Sequence, residues 1–169
     1  MLSNVPIQAY GQVIEATGHL LEPTGFRRQK TVLRIVDRDN CGIVEFQRST
    51  KNSREKLLFT VNLGVICGQL LDSGPDELKK ARIEDAHLRQ RIGMLLPNRP
   101  DKWWEITEAT DSKSLAHEVS ELILEKAVPY IRYHLSTESL ISLWESGQSP
   151  GLTDGQRVDL LAQLKRGAA

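Results

Sequence analysis

Cysteine is nearly missing from this sequence: Cys41 and Cys67 are the only two in 169 residues. Two thiols make no disulfide scaffold, so both are expected to be free, in a reducing compartment. Long hydrophobic runs are missing too, and no stretch approaches the ~18 apolar residues of a membrane span. No Lys or Arg precedes Arg27, so the positive flank of a signal or transit peptide is not there, and a cytoplasmic location is expected. The glycines never cluster into a phosphate loop, since Gly25, Gly42, Gly64, Gly68 and Gly74 stand singly. Metal-ligand spacing is lacking as well: His19, His87, His117 and His134 form neither H-x3-H nor HExxH. No cofactor and no metal is therefore expected.

What is present is an ordinary globular balance, 40% apolar and 26% charged, in a length that suits one domain. Lys+Arg and Asp+Glu both number 22, but the zero total hides a shift along the chain. Residues 26–56 hold nine bases against four acids, and residues 101–169 hold seven bases against eleven acids. The two parts can attract each other within one fold or face partners of opposite sign. As a nucleic-acid footprint the basic segment is weak, because it lacks the exposed rings on which bases stack. Arg27, Arg28, Lys30, Arg48, Lys51, Arg54 and Lys56 are expected at the surface.

Periodicity divides the chain into three parts. Val5, Ala9, Val13, Ile14 and Leu21 form a loose helical stripe that Pro23 and Gly25 end. Short alternating runs follow: Thr31–Val36, Ile43–Arg48, Phe59–Val65, Leu88–Leu95 and Trp103–Ile106. The cluster Asp39-Asn-Cys-Gly42 reads as the turn between the first two. An antiparallel meander is expected, with Leu88, Ile92 and Met94 on one apolar side and a short helix beginning at Pro75. A register pairing Phe46 with Phe59 and Val44 with Val61 puts Glu45, Gln47, Thr60 and Asn62 on the opposite face. Helical spacing returns with Leu115, Val119, Leu122, Ile123 and Ala127, and Pro129 is expected to kink or end that helix. Ser136 caps a further helix, and Thr153-Asp-Gly-Gln156 is a capping box opening the last one. The fold class is α+β: one domain, an antiparallel β-meander sheet packed by an N-terminal helix and about three C-terminal helices. Residues 1–152 form that domain and 153–169 read as a C-terminal helical appendage.

Catalytic motifs are sparse. Gly147-Gln-Ser149-Pro-Gly151 fits G-x-S-x-G, but helices flank it and Pro150 has no N–H to serve an oxyanion. Asp37 or Asp39 with Glu45-x-Gln47 shares the acidic spacing of restriction-type nucleases, yet Gln47 stands where the lysine belongs. Adjacent residues of a strand point to opposite faces, so Trp103 and Trp104 cannot both enter one core. One ring is expected in the main core and the other under a helix or loop. The functional alternative leaves one indole exposed beside Gln47 and Asn62.

The motifs Gly25-Phe-Arg-Arg, Val44-Glu-Phe-Gln-Arg-Ser49, Phe59-Thr-Val-Asn-Leu-Gly-Val65, Arg91-Ile-Gly93 and Trp103-Trp104, in that order, resemble the bacterial domain-of-unknown-function family numbered 4304. The resemblance covers a core of about residues 20–144. It implies a small soluble α+β protein with no established activity, and it brings no catalytic residue with it. Among the positions matching the family's pattern, Gln47, Ser49, Asn62, Arg91, Trp103 and Trp104 are the candidate binding residues. The reading of function is a non-catalytic cytoplasmic binding protein with a protein partner, of which an immunity-type inhibitor of a bacterial toxin is one form. The alternative is a nucleic-acid- or nucleotide-acting enzyme or binding module using the basic segment 26–56. No membrane association is expected.

Overall fold

A computed structural model describes residues 4–73 and 75–167. The first helix, α1 (Val5–Leu21), has the bounds expected from its apolar stripe, with the Asn4 side chain accepting from Ile7 N at 3.3 Å as its cap. Six strands follow: β1 (Arg27–Gln29), β2 (Val32–Asp37), β3 (Asn40–Arg48), β4 (Leu57–Cys67), β5 (Leu88–Arg91) and β6 (Trp104–Ile106). They form one antiparallel sheet in the order β1-β2-β3-β4-β5, and β6 also pairs with β4. Strands β5 and β6 share one edge of β4, at Asn62–Val65 and at Leu57–Phe59 respectively. The remaining helices are α2 (Ser112–Leu122), α3 (Val128–His134), α4 (Thr137–Glu145) and α5 (Asp154–Gly167). The α+β class and the meander are thus as the sequence predicts.

Period-2 alternation gives the sheet two different faces. Leu33, Val44, Phe46, Phe59, Val61, Leu63 and Val65 point into the main core, where α1, α2, α3 and α4 meet them through Val13, Val119, Ile131 and Leu140. On the other face Cys41, Ile43 and Ile66 lie under Leu78, Ala81 and Ile83. Those three residues belong to short 3-10 turns at Pro75–Lys80 and Ile83–Asp85 and to the chain between them. The helical start expected at Pro75 is therefore 3-10, and it covers only part of the second face.

Four details of the expected pattern are corrected. Phe46 pairs with Val61 and Val44 with Leu63, two residues away from the predicted register. The loop after β3 sets this shift, because Ser49 N donates to Leu58 O at 2.8 Å and Leu58 N to Asn52 Oδ1 at 2.8 Å. A shift of two leaves every side chain on its predicted face, whereas a shift of one would have inverted them all. In this register Cys41 faces Ile66, and both cysteines are free and buried.

The β2–β3 turn falls at Arg38–Asp39, with Arg38 at φ +53°, and Asp37 opposes Asn40. Gly42 lies inside β3, where a Cβ would collide with Ile131 of α3, so its role is close helix–sheet approach. Beyond Arg91 the chain leaves the strand for a 3-10 turn at Ile92–Leu95, which turns Met94 outward to 42% exposure. At Pro129 the chain neither stops nor breaks, because a π-helical turn at Ile123–Ala127 joins α2 to α3, with Val128 N donating to Ile123 O.

The last two helices start as expected. Ser136 caps α4 through Ser139 N. Thr153 and Gln156 exchange the two bonds of a capping box at 2.9 and 3.2 Å. Helix α5 buries Leu164 in the main core, and Arg157 donates to Trp144 O at 3.0 Å.

Candidate functional site

The part of the second sheet face that Ile83 does not cover is polar. Glu45 opposes Asn62 and Gln47 opposes Thr60 in the β3–β4 ladder, while Asn62 opposes Arg91 across to β5. Gln47 and Asn62 thus share a face on neighbouring strands, and Asn62 Nδ2 donates to Gln47 Oε1 at 2.7 Å. This bond uses one donor and one acceptor of the pair and leaves the remaining amide groups to the groove. Two adjoining recesses of about 520 and 370 Å3 open here, sharing Gln47, Asn62, Ile83 and Glu84. Ser49 and Asn52 stand at one end, Arg89 and Arg91 at the other.

The β5 end is built by the loop that carries the chain from β5 back to β6. Arg91 Nη1 pairs with Asp101 Oδ1 at 2.7 Å, and its guanidinium lies 5.1 Å from the Trp103 ring centroid. Trp103 Nε1 donates to the other oxygen of Asp101 at 3.1 Å. These two hydrogen bonds hold the Asp101 carboxyl below the usual carboxylate range. The loop is itself anchored where Thr60 Oγ1 donates to Lys102 O at 2.7 Å.

Charge inside the groove is mixed. Glu45 is half-buried, and its acidity is weakened first by burial and then by the nearby Glu84 charge, against the pull of Arg34. Tyr10 reaches the same groove from α1, and burial pushes its hydroxyl up to about 12. Its ring packs on Phe46 and Phe59 of the main core, and its hydroxyl oxygen is buried without a hydrogen-bond partner.

Of the six candidate residues, Gln47, Ser49, Asn62, Arg91 and Trp103 lie along this groove or its rim. Ser49 Oγ accepts from Lys51 N at 3.1 Å and so shapes the loop. Trp103 is half-buried and borders Arg91 at the rim, so only one of the two indoles is fully enclosed. Trp104 must be taken off the site. It is 4% exposed on the main-core face, stacked on Phe59 at 5.4 Å, and bonded through Nε1 to Glu118 Oε1 at 3.0 Å. Opposite projection of neighbouring residues separates it from Trp103.

Residues that the sequence reading missed are Glu84, Arg89, Asp101 and Tyr10: Arg89 neighbours Arg91 in β5 and Asp101 precedes Trp103, whereas Glu84 and Tyr10 come from separate elements. The acidic run before β5 holds Glu84 and the Pro-Asn-Arg-Pro-Asp loop holds Asp101, but neither gives a hint of where it folds back.

Other chemistry-bearing groups are placed elsewhere. Asp37 and Asp39 line a cleft of about 500 Å3 at the opposite end of β3 from Glu45 and Gln47, so no acidic nuclease core assembles. In that cleft Asn40 is fully bonded, donating to Leu135 O and Thr137 Oγ1 and accepting from Gly68 N. Ser149 sits in the α4–α5 loop, where Pro150 O accepts from Arg89 N at 3.0 Å, so G-x-S-x-G pins that loop to the sheet edge. Burial pushes the Cys41 thiol up to about 11 and Cys67 in the same direction, away from nucleophilic thiolate. His87 Nδ1 accepts from Cys67 N at 3.0 Å, a structural bond. Among the described residues no group of three His, Cys, Asp or Glu side chains is placed to hold a metal, and no helix is long and apolar enough to cross a membrane.

These features define an α+β domain with one covered sheet face and one half-open, polar face. The model of the family described as Domain of unknown function (DUF4304) matches residues 17–133, most of the chain, and the protein belongs to that family. The match includes Gln47, Ser49, Asn62, Arg91 and Trp103 and ends before α4 and α5. No curated protein and no solved structure matches the chain.

Proposed function

We propose that this chain is a non-catalytic binding protein that receives a protein partner on the open half of its second sheet face. An immunity-type inhibitor of a bacterial toxin, acting in the cytoplasm, is the form of this role that suits it. The observation that supports the reading is the rim formed by Trp103, Arg91 and Asp101 beside the Gln47–Asn62 pair. Trp and Arg are the residues most enriched among interface hot spots, and a surrounding polar surface is what such anchors have at their edge. The amides offer donors and acceptors without proton transfer, which suits recognition better than catalysis. Two buried thiols suit a reducing compartment.

Affinity capture from the native cell tests the proposal, using the full chain and a folded Gln47→Lys, Arg91→Glu variant side by side. A stoichiometric protein retained by the wild type and lost by the variant supports it. Co-purified nucleic acid, or a partner retained equally by both, overturns it.

A further inference from the structure

A further recess, of about 450 Å3, lies at the other edge of the sheet, around the β1–β2 hairpin. Arg27, Arg28, Arg34 and Lys79 line it, together with Gln29 and Val36, and no carboxylate is among its lining residues. In the ladder Arg27 and Arg34 are directly opposed, so two guanidinium groups project from the same face of neighbouring strands. Like charges in directly opposed positions destabilise a sheet. Such an arrangement sets local structure against stability, and these conflicts concentrate at functional sites.

What holds the arginines in place is the second observation. Arg34 Nε donates to Ala81 O at 2.8 Å and its Nη1 to Gln29 Oε1 at 3.3 Å. Arg27 Nη1 is held by the carbonyls of Glu22 and Phe26 at 3.4 and 3.3 Å, and Arg28 Nη1 by Lys30 O at 3.2 Å. The Arg28 stem lies against Gly18 of α1, where a Cβ would come within 3.0 Å of it. All three guanidiniums are thus fixed by neutral acceptors, which orient them without cancelling their charge. Among the described residues none of these four cations belongs to an ion pair. Glu45 feels the charge of Arg34 but forms no ion pair with it. Each planar fork keeps N–H groups free to bond two oxygens at once.

We propose that the recess between Arg27, Arg34 and Lys79 binds a phosphoryl oxyanion. Its geometry suits a group with several equivalent oxygens approached from two strands and from the Pro75–Lys80 turn. Val36, 43% exposed at the recess, offers apolar contact to whatever carries the phosphoryl group. The site is separate from the Gln47–Asn62 groove, and the proposal does not depend on the reading given to that groove.

Thermal unfolding and calorimetric titration of the full chain with inorganic pyrophosphate, at about 50 mM salt where phosphate contacts are strongest, test it. Pyrophosphate should raise the Tm of the wild type by mass action. Arg27→Gln and Arg34→Gln should each weaken binding about tenfold, and Arg34→Lys nearly as much because the fork is lost. Lys51→Gln, on the β3–β4 loop, should leave binding unchanged. Arg27 is exposed and its variant keeps the fold. Without ligand, Arg27→Gln should match or exceed the wild-type Tm, since an opposed charge is removed. A parallel titration with a short single-stranded oligonucleotide distinguishes the source. Competition with pyrophosphate identifies backbone phosphate, and binding of pyrophosphate alone identifies a free phosphorylated small molecule. No Tm shift at millimolar pyrophosphate, or an equal shift in the Arg27 and Arg34 variants, would overturn the assignment.

Discussion

The two faces of the sheet come from the same strands and differ in nearly everything else. On the main-core face Phe46, Phe59 and Trp104 form a continuous aromatic array with Tyr10, with centroid distances of 5.3 to 6.4 Å. Helices before and after the sheet close over it. On the other face the short segment around Leu78 and Ile83 covers the Cys41 end and leaves the Gln47 end open. Gly64 marks the boundary, since a Cβ there would lie 2.7 Å from Ile83 Cδ1 and push the cover away. Where cover ends, apolar side chains no longer gain from burial, and the strands are free to carry amides, carboxylates and arginines whose use lies outside the fold.

The largest expected effect is on the covered face. Trp104→Ala should lower stability by about 3–5 kcal/mol, the range for removing a buried large aromatic. Trp103→Ala should lower it by less than about 1.5 kcal/mol, because its ring is half-buried and its guanidinium neighbour Arg91 is a surface group. Urea titration of the two variants checks the asymmetry, and equal losses would erase the distinction between the faces.

Gly42→Ala comes next. The added methyl meets Ile131 in a packed helix–sheet contact, and a loss of about 1–3 kcal/mol is expected. Gly155→Ala, where a Cβ meets nothing within 4 Å, is the matched control and should not destabilise.

A smaller effect depends on pH. Burial lowers the affinity of His87 and His134 for a proton below that of an ordinary histidine near 6.5. The unfolded chain therefore binds more protons in this window. Stability is full above the unfolded value and falls as pH drops below about 6.5 toward the folded values. Melting curves across this range should show that slope, and His87→Gln should flatten part of it.

Smallest is Glu45→Gln. The folded carboxyl holds its proton more tightly than an unfolded one, first through burial and then through Glu84, so ionisation costs stability as pH rises through the folded value. At pH 7 the variant should melt slightly higher than the wild type, and at pH 4 the gap should narrow.

Much of the covered face was legible in the sequence, because burial writes itself as periodicity. The stripe Ala9, Val13, Ile14 and Leu21 gave α1, and the alternation of Phe59, Val61, Leu63 and Val65 gave the core face of β4. The turn and register were not legible. They depend on Asn52 bonding Leu58 and on Asn40 bonding Leu135, contacts between residues whose spacing carries no pattern. The open face was half legible. Alternation placed Gln47 with Asn62, but Arg91, Asp101 and Trp103 meet through a loop, and Glu84 and Tyr10 arrive from separate elements. The separation of Trp103 from Trp104 followed from strand geometry, whereas which ring entered the core was decided by the pairing of Trp104 with Phe59.

The claim that the open polar half-face is where this protein meets its partner is tested most directly by hydrogen exchange on the full chain, with and without the protein that it captures from its native cell. The account predicts slowed exchange concentrated at residues 45–49, 60–62 and 89–103, with α1 and α2 unchanged. Protection confined to the helices, with those segments unaltered, would contradict it.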